Sequence, residues 1–299
     1  MLFEQKYVES LEYLLNNGNK VVDERGNITY SKQHQYFFLD NVKENFPALK
    51  GKKVFPFLAL KEMLWFLTGN TSVKLLESVG VKYWNQWQDE NCTIGKSYGY
   101  QFRNFNGVDQ VANLVNSLLN TPTSRRNIIN LWNVSDLEEM TLPPCVINYQ
   151  FSCIPGIKGV DWQHYYIDLH ILQRSADAFV GIPYDFMIAG WFLNFIVYIL
   201  NLISKKNRYH VNNIHYTCND YHIYDSNVEQ VKQYLAQVKN IENCMYNTQT
   251  KVNINTTGIY PEMTIENFLL TLFKENSFKK YFNTNYQTSA VQIEVSVVK

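Results

Sequence analysis

The stretch Phe186–Ile203 (FMIAGWFLNFIVYILNLI) contains no charged residue. A run this long and apolar has two outlets: a membrane span, or a helix buried on nearly every side. Asp185 precedes it and Lys205–Lys206 follow it, and no other segment resembles a span. The run therefore predicts the central helix of a globular core. Nothing at the start reads as a leader, because MLFEQKYVESLEYLL has the pattern of a short amphipathic helix. A cytoplasmic protein without a membrane segment is expected.

With 299 residues and 46% hydrophobic content, the chain can bury a large core as one domain spanning 1–299. Its 21 Tyr and 18 Phe predict that much of this core is aromatic. Lys plus Arg (27) equal Asp plus Glu (27), so the overall charge favours no nucleic-acid partner. An anionic ligand would need a local cation cluster. The five cysteines, Cys92, Cys145, Cys153, Cys218 and Cys244, are odd in number and form no CxxC motif. That pattern predicts reduced thiols, with neither a disulfide framework nor a metal site.

Periodicity predicts helices over 4–16, 57–68, 72–79, 109–119, 186–203 and 226–238, and a helical turn at 136–140. Alternation predicts strands over 26–40, 127–132, 146–153, 165–172, 213–217 and 291–298, with a loop at 154–164. This order predicts an α+β fold in which a large, mostly non-local mixed sheet packs against long helices.

Three short stretches carry candidate chemistry. Cys145 follows Leu142-Pro143-Pro144; alone, such a cysteine is more often a buried structural thiol than a nucleophile. Gln173-Arg174-Ser175-Ala176-Asp177 sets a guanidinium, a hydroxyl and a carboxylate side by side. Ser124-Arg125-Arg126 follows a turn, where two guanidiniums could clamp a phosphate.

Taken together, these pieces resemble the thymidylate synthase family, including its deoxycytidylate and deoxyuridylate hydroxymethylases. FPALKGKK (46–53), KEMLWFLTGNTSVKLL (61–76), GVKYWNQW (80–87), IGKSYGYQFRNF (94–105), SRRNIINLWN (124–133), LPPC (142–145), QRSADAFVGIPYD (173–185) and NDYHIY (219–224) occur in family order. The resemblance implies a thymidylate synthase-like fold and a sheet-to-sheet homodimer. It makes Cys145 the nucleophile that adds to C6 of a pyrimidine nucleotide, so that C5 takes a one-carbon unit from 5,10-methylenetetrahydrofolate. Arg174 would lower the thiol pKa by its charge. By the same resemblance Glu62 relays protons, Tyr98 is associated with proton removal from C5, and no metal takes part. Arg25, Arg174 and Ser175 would hold the phosphate, with Arg125 and Arg126 donated by the second subunit. His222 and Tyr224 would bind the sugar. Trp84, Asn85, Leu142 and Asp177 would face the folate, and Lys52 its glutamate tail.

The chain departs from the family at Asp185, where an asparagine reads uracil. An amide donates to O4 and accepts from N3–H, whereas cytosine offers an acceptor at N3 and a donor at its amino group. A protonated Asp185 matches cytosine, as does an ionised Asp185 facing cytosine protonated at N3. Asp185 could instead only cap the helix at 186–203. The resemblance thus leans to a dCMP 5-hydroxymethyltransferase. Thymidylate synthase and dCMP methylation with hydride transfer are the alternatives, and a non-catalytic nucleotide- or RNA-binding protein is disfavoured. Trp84 follows the synthase pattern, while Val146 and Asn219 depart from it. About nine additional residues between Phe151 and Leu169 lengthen the connection to QRS relative to bacterial synthases.

Overall fold

The computed structural model describes residues 3–23, 25–157, 159, 162–239, 250–255, 265–295 and 297–298. Cys244 lies outside them. The long apolar run forms α6 (Ile182–Ile203), which Pro183 starts in its first turn and Ser204 ends. Its residues are buried on almost every face, so the one helix among the described residues long and apolar enough to cross a membrane is the core helix. It begins four residues before the apolar run itself, because Gly181 turns the chain into the helix and the fixed φ of proline suits the first turn.

On one side α6 packs against α2 (Pro56–Thr68), another helix with little polar surface. On the other side lies a six-stranded sheet in the order β1-β2-β6-β5-β4-β3. These strands are β1 (Asn19–Val22), β2 (Ile28–Leu39), β3 (Ile128–Asn130), β4 (Val146–Pro155), β5 (Gln163–Asp177) and β6 (Asn207–Tyr224). Only β5 and β6 pair in parallel; the other neighbours are antiparallel. A parallel pair needs a crossover, and α6 supplies it. The register sets His170 beside His215, Ser175 beside Asp220 and Asp177 beside His222.

The shorter helices α1 (Phe3–Asn17), α3 (Val73–Ser78), α4 (Gly99–Asn104), α5 (Gln110–Asn120) and α7 (Val228–Lys239) surround this core. A small two-stranded antiparallel sheet of β7 (Val252–Ile254) and β8 (Phe282–Thr284) accompanies α8 (Ile265–Glu275) and α9 (Phe278–Tyr281), which lie between them in the chain. The core is aromatic, as the composition predicts: Trp65, Trp191, Tyr7, Tyr209, Phe186 and Phe192 are among the fully buried side chains. Several of their polar ends meet main-chain carbonyls. Trp191 Nε1 donates to Pro56 at 2.9 Å, the Tyr7 hydroxyl to Ala178 at 2.8 Å and the Tyr209 hydroxyl to Leu118 at 2.8 Å.

Strands β5 and β6 run well beyond 165–172 and 213–217, because their polar residues line the face away from α6 and interrupt the apolar pattern without ending the ladder. The exposed β1 and the short α4 carry too little apolar pattern to be anticipated. The expected strand at 291–298 does not form among its described residues. Ile293 is buried, and Gln237 donates to the Val291 carbonyl at 3.3 Å, so the segment docks by side chains without a ladder partner.

Phe192 meets Phe102, Tyr149 and Phe151 edge-on at 5.7, 5.2 and 5.3 Å. Phe192→Ala is expected to cost about 3–5 kcal/mol in urea unfolding; a loss below about 1 kcal/mol would show that this cluster does not hold the core.

Candidate active site

The carboxyl ends of β5 and β6, the first turn of α6, the start of β4 and the middle of α2 meet in one region. Cys145 immediately precedes β4 and is partly exposed. Its N–H donates to the Tyr98 hydroxyl at 2.9 Å, and its carbonyl accepts from the Arg174 N–H at 2.8 Å. Arg174 also reaches back with its side chain: Nε donates to the Pro144 carbonyl at 3.0 Å and Nη2 to Pro143 at 3.1 Å. The guanidinium lies 5.2 Å from the Trp132 ring centroid and retains three further N–H groups for a ligand.

Tyr98 is held at φ 27° and ψ −90°, a sparsely populated conformation for any side chain other than glycine's. Its ring stacks on Phe66 at 4.7 Å. Gly95 makes this loop possible. At φ 64° it passes so close to the Glu139 carbonyl that a Cβ would sit 1.9 Å from it.

Arg174 does favour the Cys145 thiolate, but it does not decide the balance. Burial pushes the thiol pKa up, Asp185 and Asp177 push it further, and Arg174 and Tyr98 oppose them. The lowering expected from Arg174 is present, and burial outweighs it, so the thiol pKa lies above its ordinary value.

Glu62, on α2, is buried beneath this loop. One oxygen accepts from the Tyr83 hydroxyl in a very short contact, and the other accepts from Trp84 Nε1 at 2.6 Å. Burial raises its pKa to about 7, the two hydrogen bonds oppose the rise, and Asp185 adds to it. Asp185 lies inside the first turn of α6, whose N-cap is Gly181 with no side-chain cap bond. It therefore does not cap the helix. Its carboxylate accepts from Gln173 Nε2 at 3.1 Å, and burial raises its pKa to about 6. The Tyr216 hydroxyl lies near enough to favour the charged carboxyl but makes no well-formed hydrogen bond.

Asp177 Oδ1 accepts from the N–H groups of Phe179 (2.9 Å) and Val180 (3.0 Å). Burial still raises its pKa, with Val180, His222, Phe179 and Lys52 opposing. Lys52 is buried rather than reaching into solvent. Its ammonium donates to the Phe179 carbonyl and covers that ring, and burial lowers its pKa to about 8. Across the β5–β6 ladder, His222 Nδ1 contacts Asp220 at 3.1 Å, and Ser31 donates to the same carboxylate at 2.7 Å. Tyr224 meets His222 edge-on at 5.1 Å. Arg25 lies in the turn between β1 and β2, close enough for its charge to favour ionisation of Tyr224. Ser175 follows Arg174 on β5 and gives its carbonyl to Gln173 at 2.9 Å.

Other expected residues sit at the margin. Asn85 donates to Glu77 at 3.3 Å, and Leu142 gives its carbonyl to Ser97 at 2.6 Å. Arg125 and Arg126 are exposed on the turn before β3, the last strand of the sheet, and the fold does not bring them to Cys145 of the same chain. Sequence reasoning left Gln173, Tyr83 and Tyr216 without roles. Gln173 was visible inside the QRSAD stretch and Tyr83 inside GVKYWNQW, whereas Tyr216 had no local signal. Two buried acceptors, Gln173 Oε1 and Asn85 Oδ1, have no protein partner. Such orphaned atoms suit a ligand that presents N–H groups, as a pyrimidine amine and a pterin do.

Tyr83→Phe removes a donor to the ionised Glu62, so the carboxyl should titrate above about 7. Difference infrared spectra of the carboxyl band would show this rise; an unmoved band would deny the hydrogen bond its role. Asp185 binds its proton more tightly in the fold, at about 6 against 3.8. The stabilisation from that proton is present at low pH and lost as pH rises through about 6. At about 1.36 kcal/mol per pH unit, the difference corresponds to about 3 kcal/mol at most. Asp185→Asn should therefore gain stability over the parent protein in urea at pH 8 relative to about pH 5. Parallel pH profiles for the two proteins would rule that out.

Residues 5–281 match the family described as thymidylate synthase. The thymidylate synthase of Brachyspira hyodysenteriae is 34% identical over 241 residues, covering 78% of this chain and 84% of the relative. With this match spanning the Cys145 loop, both central strands and the core helix, the chain belongs to the thymidylate synthase family.

Proposed function

We propose that this chain is a deoxycytidylate 5-hydroxymethyltransferase that uses 5,10-methylenetetrahydrofolate as co-substrate. The observation that carries the reading is the buried Asp185, fixed by Gln173 and titrating at about 6. At neutral pH both of its protonation states are within reach. Protonated, it donates to cytosine N3 and accepts from the 4-amino group; ionised, it pairs with cytosine protonated at N3. Against uracil, a carboxylate faces the lone pairs of O4, a buried mismatch of about 1–3 kcal/mol.

The co-substrate supplies a one-carbon unit at the oxidation level of formaldehyde. Cys145 adds to C6 and makes C5 nucleophilic. A thiol held protonated by burial needs a bound substrate and a base to give up its proton. Arg174 favours the resulting thiolate, and Glu62, poised at about 7, can take or return a proton at the base. The same carboxyl can accept a proton from a water attacking the transferred carbon, the step that separates hydroxymethyl from methyl products. The three unused N–H groups of Arg174, with Ser175 and Arg25, suit the phosphate. His222, oriented by Asp220, leaves Nε2 for the sugar hydroxyl with Tyr224. Trp84, Asn85, Leu142 and Asp177 suit the pterin, with Lys52 released from Phe179 for the folate tail. Exposure of Arg125 and Arg126 on the edge turn suits donation to a second copy in a homodimer. The whole chain is read as one catalytic domain.

A second reading, thymidylate synthase, draws on the name of the relative from Brachyspira hyodysenteriae. Turnover with methylenetetrahydrofolate and either dCMP or dUMP, with products weighed by mass spectrometry, separates the two. Hydroxymethyl-dCMP formed without dihydrofolate is expected; thymidylate formed with dihydrofolate would overturn the assignment. Asp185→Asn should move kcat/KM from dCMP towards dUMP by at least about 10-fold, and Cys145→Ala should abolish turnover with both.

A further inference from the structure

On the face of the sheet opposite α6, three side chains with metal-binding atoms converge. Asp168 and His170 share that face two residues apart on β5, and His215 sits directly across from His170 on β6. One ligand atom from each lies within 4.8 Å of the others. Asp168 is buried, with 6% of its surface exposed, and its orientation is fixed. Oδ1 accepts from Asn212 Nδ2 at 2.7 Å and from the Asn213 N–H at 3.1 Å, which leaves Oδ2 to face His215. His215 is fixed through its other nitrogen, where Nδ1 and the Tyr36 hydroxyl are 2.9 Å apart. Burial and His215 hold the His170 pKa below its ordinary value.

The spacing is the informative quantity. His215 Nε2 and Asp168 Oδ2 are 3.4 Å apart, beyond the usual 2.7–3.2 Å of an N–H···O bond. In a tetrahedral site with bonds of about 2.0–2.1 Å, neighbouring ligand atoms stand about 3.4 Å apart. When Nδ1–H donates to Tyr36, Nε2 presents a lone pair to a carboxylate oxygen, an arrangement that a cation completes. His170 stacks on His215 at 4.4 Å and 6°. A ring nitrogen of His170 lies within 4.8 Å of the other two ligand atoms, so His170 joins the set by leaving this stack.

We propose that Asp168, His170 and His215 form a divalent transition-metal site, with Zn²⁺ as the natural fit and water in the fourth position. Two imidazoles, one carboxylate and a water make up a common zinc ligand set, and Tyr36, Asn212 and Asn213 act as the outer partners that orient it. The site does not depend on the reaction proposed above, since it lies on the other face of the sheet from Tyr216 and the core.

Equilibrium dialysis of the full chain against Co²⁺ and Zn²⁺, long enough for any subunit exchange, tests this. One ion per chain is expected, and bound Co²⁺ should show tetrahedral visible absorption without a thiolate charge-transfer band. His215→Gln and Asp168→Asn should abolish that absorption, while the milder Tyr36→Phe should weaken affinity by about 10-fold or more. Circular dichroism and a thermal melt in chelator check that each variant folds. An absence of stoichiometric binding, binding unchanged in these folded variants, or a thiolate band placing the ion on a cysteine would each overturn the proposal.

Discussion

The parallel pairing of Gln163–Asp177 with Asn207–Tyr224 constrains everything else in this molecule. Two parallel neighbours cannot be joined by a tight turn, so the chain must leave the end of β5, cross the sheet and return to the start of β6. A helix crossing over the middle of a wide sheet, with a second helix above it, has no solvent-facing side. That is why α6 is apolar all round, and why Asp185, at its very beginning, is delivered to the end of β5 beside Gln173. The same ladder sets Asp177 next to His222 and Ser175 next to Asp220. Topology thus assembles the polar cluster before any side chain chooses a partner.

The cluster is electrostatically uncomfortable. Glu62, Asp177 and Asp185 are all raised in pKa by burial, and Glu62 and Asp185 are raised further by neighbouring carboxylates. Arg174, the nearest fixed cation to Cys145, spends part of its hydrogen-bonding capacity on the loop. Such a region is stable only because the aromatic core around α6 is large enough to carry it. A site of this kind relaxes when a ligand supplies the missing donors and charges, which ties substrate binding to stability.

Much of the fold was legible in the sequence because amphipathic and apolar patterns are local. The helices over 3–17, 56–68, 110–120 and 228–239 announce themselves by period. What escaped depends on distant partners. The 291–298 segment alternates like a strand but meets no ladder, and the strained loop at Tyr98 depends on the Glu139 carbonyl pressed against Gly95. At the site, the quoted motifs pointed to Cys145, Arg174, Asp177 and Asp185 as candidates, and the fold brings them into one region. The burial that raises the pKa of Glu62 and Asp185 comes from elements that meet only in the fold. At the thiol, the neighbouring arginine can be read from a motif, whereas the desolvation that outweighs it cannot.

Both side-chain tethers from Arg174 to the Cys145 loop end on main-chain oxygens, those of Pro143 and Pro144. No side chain at 143 or 144 is needed to receive them. The loop can therefore drift in sequence over generations while keeping its anchorage, as long as its backbone keeps its path. Position 174 has no such latitude: lysine has no planar fork with which to span two successive carbonyls. Variation tolerated on one side of this contact and forbidden on the other is the pattern such a one-sided clasp leaves in a lineage.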